Sequence, residues 1–265
     1  MKEKKTYHYD NVELLVTHFN RSNSLERLLK AFKSLRTTFG NIVVSDDGSR
    51  LEHMAELKKL QNEYDFNLVM ARNNKGLGNN INKGQDEIAK PYTLYVQEDF
   101  VPEPGFNDNF PRALEIMDTD ESVDLIRFYA YFKYPYLKKY GPKYSEMVFS
   151  KSLLKHDHLK FYVYSDHPHL RRSTFFEKFD RYKEGLSGDV TEFDMCLSFI
   201  KNGGKGLFIK DFKAMFEQVN TSSEPSTMER GSWKNSKNVF IKALRAVYVK
   251  FRLIKNTIQL IRYKD

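Results

Sequence analysis

Cysteine is nearly absent: Cys196 is the only one among 265 residues, so no disulfide within the chain can hold the fold and stability must come from a buried core. No apolar run approaches the roughly 20 residues that a membrane-crossing helix needs. Internal repeats are lacking too, and no Pro-, Gly- or Ser-rich stretch interrupts the chain before about residue 220, which excludes a solenoid or a string of small modules. The start, MKEKKTYHYD, lacks the apolar segment of a signal peptide, and with the single cysteine this points to the cytosol. Acid is in short supply as well. The formal charge of +8 asks for an anionic partner: a nucleotide, a nucleic acid or an acidic membrane surface.

What is present is a repeated alternation of short apolar runs with helical patterns. Val12–Val16 reads as a strand, followed by the polar turn Thr17-His18-Phe19-Asn20-Arg21. A helix capped by Ser22 or Ser24 follows, with Leu25, Leu28, Leu29, Phe32 and Leu35 at helical spacing. A second strand, Ile42–Val44, runs into Ser45-Asp46-Asp47-Gly48-Ser49, and a helix from Leu51 to about Tyr64 brings the chain back. A third strand, Asn67–Met70, leads into the loop Asn73-Asn74-Lys75-Gly76-Leu77-Gly78-Asn79-Asn80, then a helix through Ile81 and Ile88. The fourth strand, Tyr92–Val96, ends in Gln97-Glu98-Asp99 with no spacer. Parallel strands joined by helices place all these polar segments at one edge of a sheet, where open α/β folds bind ligands.

That order of parts resembles glycosyltransferase family 2. The resemblance rests on VTHFNR, VVSDDGS, NKGLGNNINKG, YVQEDFVPEPGF and GDVTEFDMCLSFIKNGGKGLFI, and covers about residues 11 to 218. It implies a GT-A fold, a Rossmann-like nucleotide-binding α/β domain with a mixed, mostly parallel sheet flanked by helices. The domain would span 1–220, followed by a linker at 221–235 and a helical tail at 236–265. By the resemblance, Thr17, Asn20, Arg21, Asp46, Asp47, Lys75, Gly76, Asn79, Gln97 and Glu98 would hold a nucleotide-sugar. Aspartate carboxylates suit a pyrimidine N–H and ribose hydroxyls, although Asp-Asp-Gly-Ser is also good turn chemistry that caps the next helix.

The family's acidic signature, D-x-D, is Gln97-Glu98-Asp99 in this chain. Asp99 falls where a divalent metal, Mg²⁺ or Mn²⁺, is usually held, while Gln97 contributes no charge. The family's histidine ligand aligns with Gln218. Two ligands thus become amides, so either Asp99, the diphosphate and water hold the metal, or cationic side chains such as Arg171 or Arg172 neutralise the diphosphate. The family base aligns with Glu192, which the helix dipole alone would also favour in a first turn; Asp194 and Asp189 are further candidates.

The stretch from Phe128 to Tyr140 is rich in aromatics, which suit sugar stacking or ordinary packing. In the tail, Phe240, Ala243, Leu244, Val247, Phe251, Ile254, Ile258 and Ile261 recur at helical spacing among lysines and arginines. Such a helix lies on an anionic membrane surface or packs on protein. The function expected is inverting transfer of a hexose from a nucleoside diphosphate donor, UDP first, to a saccharide acceptor that is either free or lipid-linked, in surface polysaccharide or glycan synthesis. The rivals are a nucleotide-sugar-binding protein with little turnover and, more weakly, a nucleic-acid-binding protein, for which no motif is present.

Overall fold

A computed structural model describes residues 5–152, 154–225 and 239–263, with side chains from residue 248 in the last segment. The first half alternates as the apolar pattern dictates: β1 (Tyr7–His18), α1 (Ser22–Ser34), β2 (Thr37–Asp46), α2 (Leu51–Tyr64), β3 (Asn67–Met70), α3 (Leu77–Gln85) and β4 (Tyr92–Gln97). The second half is β5 (Phe100–Pro102), α4 (Gly105–Thr119), β6 (Leu125–Arg127), β7 (Leu137–Lys139), β8 (Tyr144–Met147), β9 (His169–Arg172), α5 (Phe175–Phe179), α6 (Gly188–Lys201), β10 (Gly206–Ile209), β11 (Phe216–Gln218) and α7 (Val239–Arg262).

Nine strands form one sheet in the order β3-β2-β1-β4-β9-β6-β10-β8-β7, and β5 pairs with β11 in a separate small ribbon. The β3-β2-β1-β4 half is wholly parallel, while β9 runs antiparallel between β4 and β6. This is the expected mixed α/β architecture with flanking helices. β1 is longer than its apolar run because its pairing with β2 shifts between Tyr9 and Glu13, and the irregularity joins two stretches of strand.

Successive side chains of a strand face opposite ways, and the cores divide accordingly. Leu14 and Val16 of β1, Val44 of β2 and Leu94 and Val96 of β4 join Leu25, Leu28 and Phe106 on one face. Leu15, Val43 and Tyr95 join Ile81, Phe175 and Met195 on the other. Fully buried apolar side chains are worth about 1.5–3 kcal/mol each, so these two layers dominate the stability. Parallel pairing brings the carboxyl ends of β1, β2 and β4 into one row, with Thr17 beside both Ser45 and Gln97.

The expected linker at 221–235 is described as far as residue 225; the remainder lies outside the described residues, as do the side chains of Phe240, Ala243, Leu244 and Val247. Residues 219–225 lie against α1. That helix has no side-chain cap of its own and no acid in its first turn. Glu224 supplies both, accepting from the Asn23 amide (3.0 Å), Asn23 Nδ2 (3.1 Å), the Ser24 amide (2.8 Å) and Ser24 Oγ (2.5 Å). Burial opposes its ionisation, yet these hydrogen bonds hold the carboxyl below the usual glutamate range.

Candidate active site

The β2 loop is built around two aspartates with different duties. Asp46 is fully buried and its lone pairs are taken: Oδ1 accepts from Ser49 Oγ (2.5 Å) and His18 Nδ1 (2.8 Å), Oδ2 from the Gly48 and Ser49 amides (3.1 and 3.0 Å). A carboxylate offers about four acceptor sites, so Asp46 braces the turn from within. Among the described residues Asp47 accepts from the Lys75 amide (2.8 Å) and the Gly76 amide (2.9 Å), tying the β3–α3 loop to β2 with acceptor capacity to spare. Gly48 and Gly76 have φ of +72° and +87°, and a Cβ on Gly48 would stand 2.5 Å from the Asn73 carbonyl carbon. Only glycine allows the two loops to touch there.

Thr17 Oγ1 lies 3.0 Å from Tyr95 Oη at the buried end of β1. Asn20, at φ +54°, accepts from the Arg50 amide (2.8 Å) and shapes the turn. Asn79 donates to Glu184 (2.7 Å). Lys83, near the end of the NKGLGNNINKG motif but given no role there, donates to Ser45 Oγ (2.6 Å) and to the Asp46 and Val69 carbonyls (3.0 and 2.9 Å). Burial brings its pKa down to about 8, with Asp46 and Asp47 pulling the other way.

At the end of β4, Arg21 reaches both members of the acidic block, with Nη1 at 3.2 Å from Asp99 Oδ2 and 3.6 Å from Glu98 Oε1. Its Nη2 donates to Asn220 Oδ1 (2.7 Å) and to the Glu224 carbonyl (3.2 Å). Gln218 donates to Asp99 Oδ2 (2.8 Å), and its own carbonyl accepts from Tyr131 Oη (2.6 Å). Both ends of that amide are engaged, and Gln218 supports Asp99. Asp99 Oδ1 is buried without a partner, the kind of hard oxygen donor that a divalent cation takes. Among the described residues no cluster of three or more His, Cys, Asp or Glu side chains is arranged to hold a metal. A cation at this place would have one protein oxygen, Asp99 Oδ1, to hold it.

Burial lifts the Glu98 carboxyl to about 8, with Asp99 pushing the same way and Arg21 opposing. The unfolded chain releases that proton near the ordinary value of 4.5, so stability is lost as pH rises from there towards 8. Glu98→Gln, which keeps the neutral shape permanently, should raise the melting temperature at about pH 8 and leave it unchanged near pH 4. Thermal unfolding across that range reads the effect; a variant less stable at every pH would mean that Glu98 is ionised and held by Arg21.

Glu192 projects from the second turn of α6 and accepts from the Asp166 amide (3.1 Å). Burial raises its pKa, against hydrogen bonds from Ser165 and Asp166 and the charge of Arg127. Asp166, in the loop before β9, is buried with Oδ1 unpartnered, and burial together with Glu192 holds its pKa well above the usual range. No sequence motif marked Asp166. Asp189 stands exposed in the first turn of α6. Asp194 is turned to Lys183 Nζ (2.7 Å) and Tyr263 Oη (3.3 Å), because two residues further along a helix faces nearly the opposite side from Glu192.

Arg171 and Arg172 lie elsewhere on the sheet. Since β9 is antiparallel to β4, they pair with Thr93 and Tyr92, at the end of β4 away from Asp99. Arg171 is buried among Tyr95, Phe175 and Phe176 and donates to Gln85 (2.7 Å), whereas Arg172 donates to the carbonyls of Met117, Asp120 and Val123. The aromatic stretch does reach the site. Tyr129 and Tyr131 stand edge-on to His167 (5.4 and 4.6 Å between centroids), and Tyr131 touches Gln218.

The sequence profile of glycosyl transferase family 2 matches residues 14–180. The chain belongs to that family. The match spans β1 through α5, including the acidic block and Asp166, and stops before α6. No curated protein sequence matches the chain. Its fold is similar to that of TarS 1-349 from S. aureus in complex with UDP-GlcNAc, with 16% identity and a TM-score of 0.57 over 94% of this chain and 71% of that one. It is similar also to the mannosyltransferase PcManGT from Pyrobaculum calidifontis in complex with GDP-Man and Mn²⁺, with 11% identity and a TM-score of 0.54 over 96% of this chain and 76% of that one. Against two other TarS structures the chain spans 59% and 37% of their length. At these identities the likeness is one of fold.

Proposed function

We propose that this family 2 member is an inverting glycosyltransferase that moves a hexose from a nucleoside diphosphate sugar, UDP-linked, to a saccharide hydroxyl in polysaccharide or glycan synthesis. What supports the reading is the set of Asp47-braced loops and the Arg21–Asp99 centre after β2 and β4, together with the Glu192–Asp166 pair; Asp166 lies in the loop before β9, whose His169 pairs with Tyr95 near the same end of β4. Glu192 takes the acceptor proton, the acceptor oxygen bonds to the anomeric carbon, and the bond to the diphosphate breaks on the opposite face. The electron pair leaves with the nucleotide, and a single displacement inverts the configuration. Asp47 and the backbone of Lys75 and Gly76 shape the nucleotide pocket with Thr17, Asn20 and Asn79 around it, while Gln97 and Glu98 lie at its floor. A divalent cation, Mg²⁺ or Mn²⁺, held through Asp99 Oδ1 would neutralise the leaving diphosphate. Arg21 adds a fixed positive charge beside it.

Calorimetry with UDP and GDP tests the donor, with UDP expected to bind more tightly. Asp47→Ala leaves two loop amides unpaired and should weaken UDP binding by about 1–3 kcal/mol. Unchanged affinity would remove the loop from the site. A second reading, nucleotide-sugar binding with little turnover, is favoured by the engagement of Asp99 by Arg21 and Gln218. Hydrolysis of a UDP-hexose with and without EDTA separates the two.

A further inference from the structure

Among the described side chains, from residue 248 on, α7 has two faces, and one of them packs on the domain. On the inner face Leu260 and the partly buried Leu253 and Tyr263 join Phe161 and Leu197. Arg252 donates to Tyr162 Oη (2.5 Å), and Tyr263 Oη donates to Asp194 on α6 (3.3 Å). The tail is therefore docked to the domain, beside the helix that carries Glu192. On the outer face Phe251, Ile254, Ile258 and Ile261 recur every three or four residues and are 62%, 59%, 43% and 73% exposed. At 3.6 residues per turn they form one stripe, with exposed Lys250 along one border and exposed Lys255 and Arg262 along the other. No acidic residue lies between Val239 and Arg262.

We infer that this stripe docks the protein on an anionic lipid surface. An apolar strip bordered by lysine and arginine on both sides matches acyl chains below and anionic headgroups around them. A second copy of the chain is a poor occupant, since an isologous contact would set the same basic borders against each other. The helix cannot cross the bilayer: among the described residues none is long and apolar enough. It lies in the interface plane instead. With α6 packed beneath it, the Glu192 side of the candidate site is held close to the surface where an acceptor on a lipid carrier would be presented.

Flotation of the full chain with phosphatidylcholine vesicles, and with vesicles holding about 30% phosphatidylglycerol, tests this at low and high salt. Binding is expected to the anionic vesicles alone and to weaken as salt screens the headgroups. Ile254→Asp with Ile258→Asp should abolish it while the melting temperature holds, because both positions are exposed. Lys250→Ser with Lys255→Ser should weaken partitioning about 25-fold, about fivefold for each basic residue. Failure of the full chain to float at low salt overturns the inference, as does binding that neither pair of substitutions changes. So does a dimer in light scattering that Ile258→Asp disperses, for then the stripe belongs to a second copy.

Discussion

Glu192→Gln should lower turnover by about 10²–10⁴-fold while leaving UDP affinity unchanged, as expected for loss of a positioned general base. Glutamine preserves the shape of the side chain and can still accept the Asp166 amide that holds Glu192 in place, so the fold around α6 survives. What disappears is the site for the acceptor proton. Burial raises the Glu192 pKa, and the base works only when ionised. The rate should accordingly fall as pH drops through that raised value, a limb lying above the ordinary glutamate range, and Glu192→Gln should abolish it. Asp166 is the natural control. Two carboxylates this close resist joint ionisation, and its stronger burial leaves Asp166 as the one that keeps its proton. Asp166→Asn should then preserve much of the turnover. Full activity in Glu192→Gln together with a collapse in Asp166→Asn would exchange the two roles.

The parallel half of the fold was legible because each of its strands carries a compact apolar run and each loop after it is short and polar. Leu14, Leu15 and Val16 could lie only in a strand covered on both faces, and both cores show it. The ends of β1 and β2 were not legible, since ladder bonds extend a strand through Thr37 and Tyr7 without an apolar signal. The loops of the candidate site were legible by residue type, whereas the division of labour between Asp46 and Asp47 depends on which amides the folded turn presents. Long-range partners left no trace in local pattern. Glu224 caps α1 from 200 residues away, and Arg171 is buried by aromatic side chains from β4 and α5. The tail read as one apolar stripe because its inner face mixes Asn256 and Arg252 with Leu253 and Leu260, a pattern that only the surface of the domain explains.

Arg21→Ala should destabilise the fold by about 3–5 kcal/mol, because it strips the cation from a buried site that holds two carboxyl groups. Arg21 is 5% exposed, and Glu98 and Asp99 are 8% and 4% exposed, so water cannot take over its charge. For a chain of this size the loss corresponds to a fall in melting temperature on the order of 10 °C. The damage should extend beyond the acidic block. Arg21 is also the clamp on Asn220 and the Glu224 carbonyl, so residues 219–225 lose an anchor and Glu224 is drawn less firmly to the α1 amides. Limited proteolysis should cut that segment faster in the variant than in the parent chain. Arg21→Lys should rescue little, since one ammonium cannot span the carboxylates and the segment as the guanidinium fork does. Adding Asp99→Asn to Arg21→Ala should return most of the lost stability, because the charge that Arg21 balanced is then gone. If the double variant is as unstable as the single, the clamp on residues 219–225 outweighs the ion pair; if Arg21→Ala melts like the parent chain, Glu98 and Asp99 share a proton and need no cation.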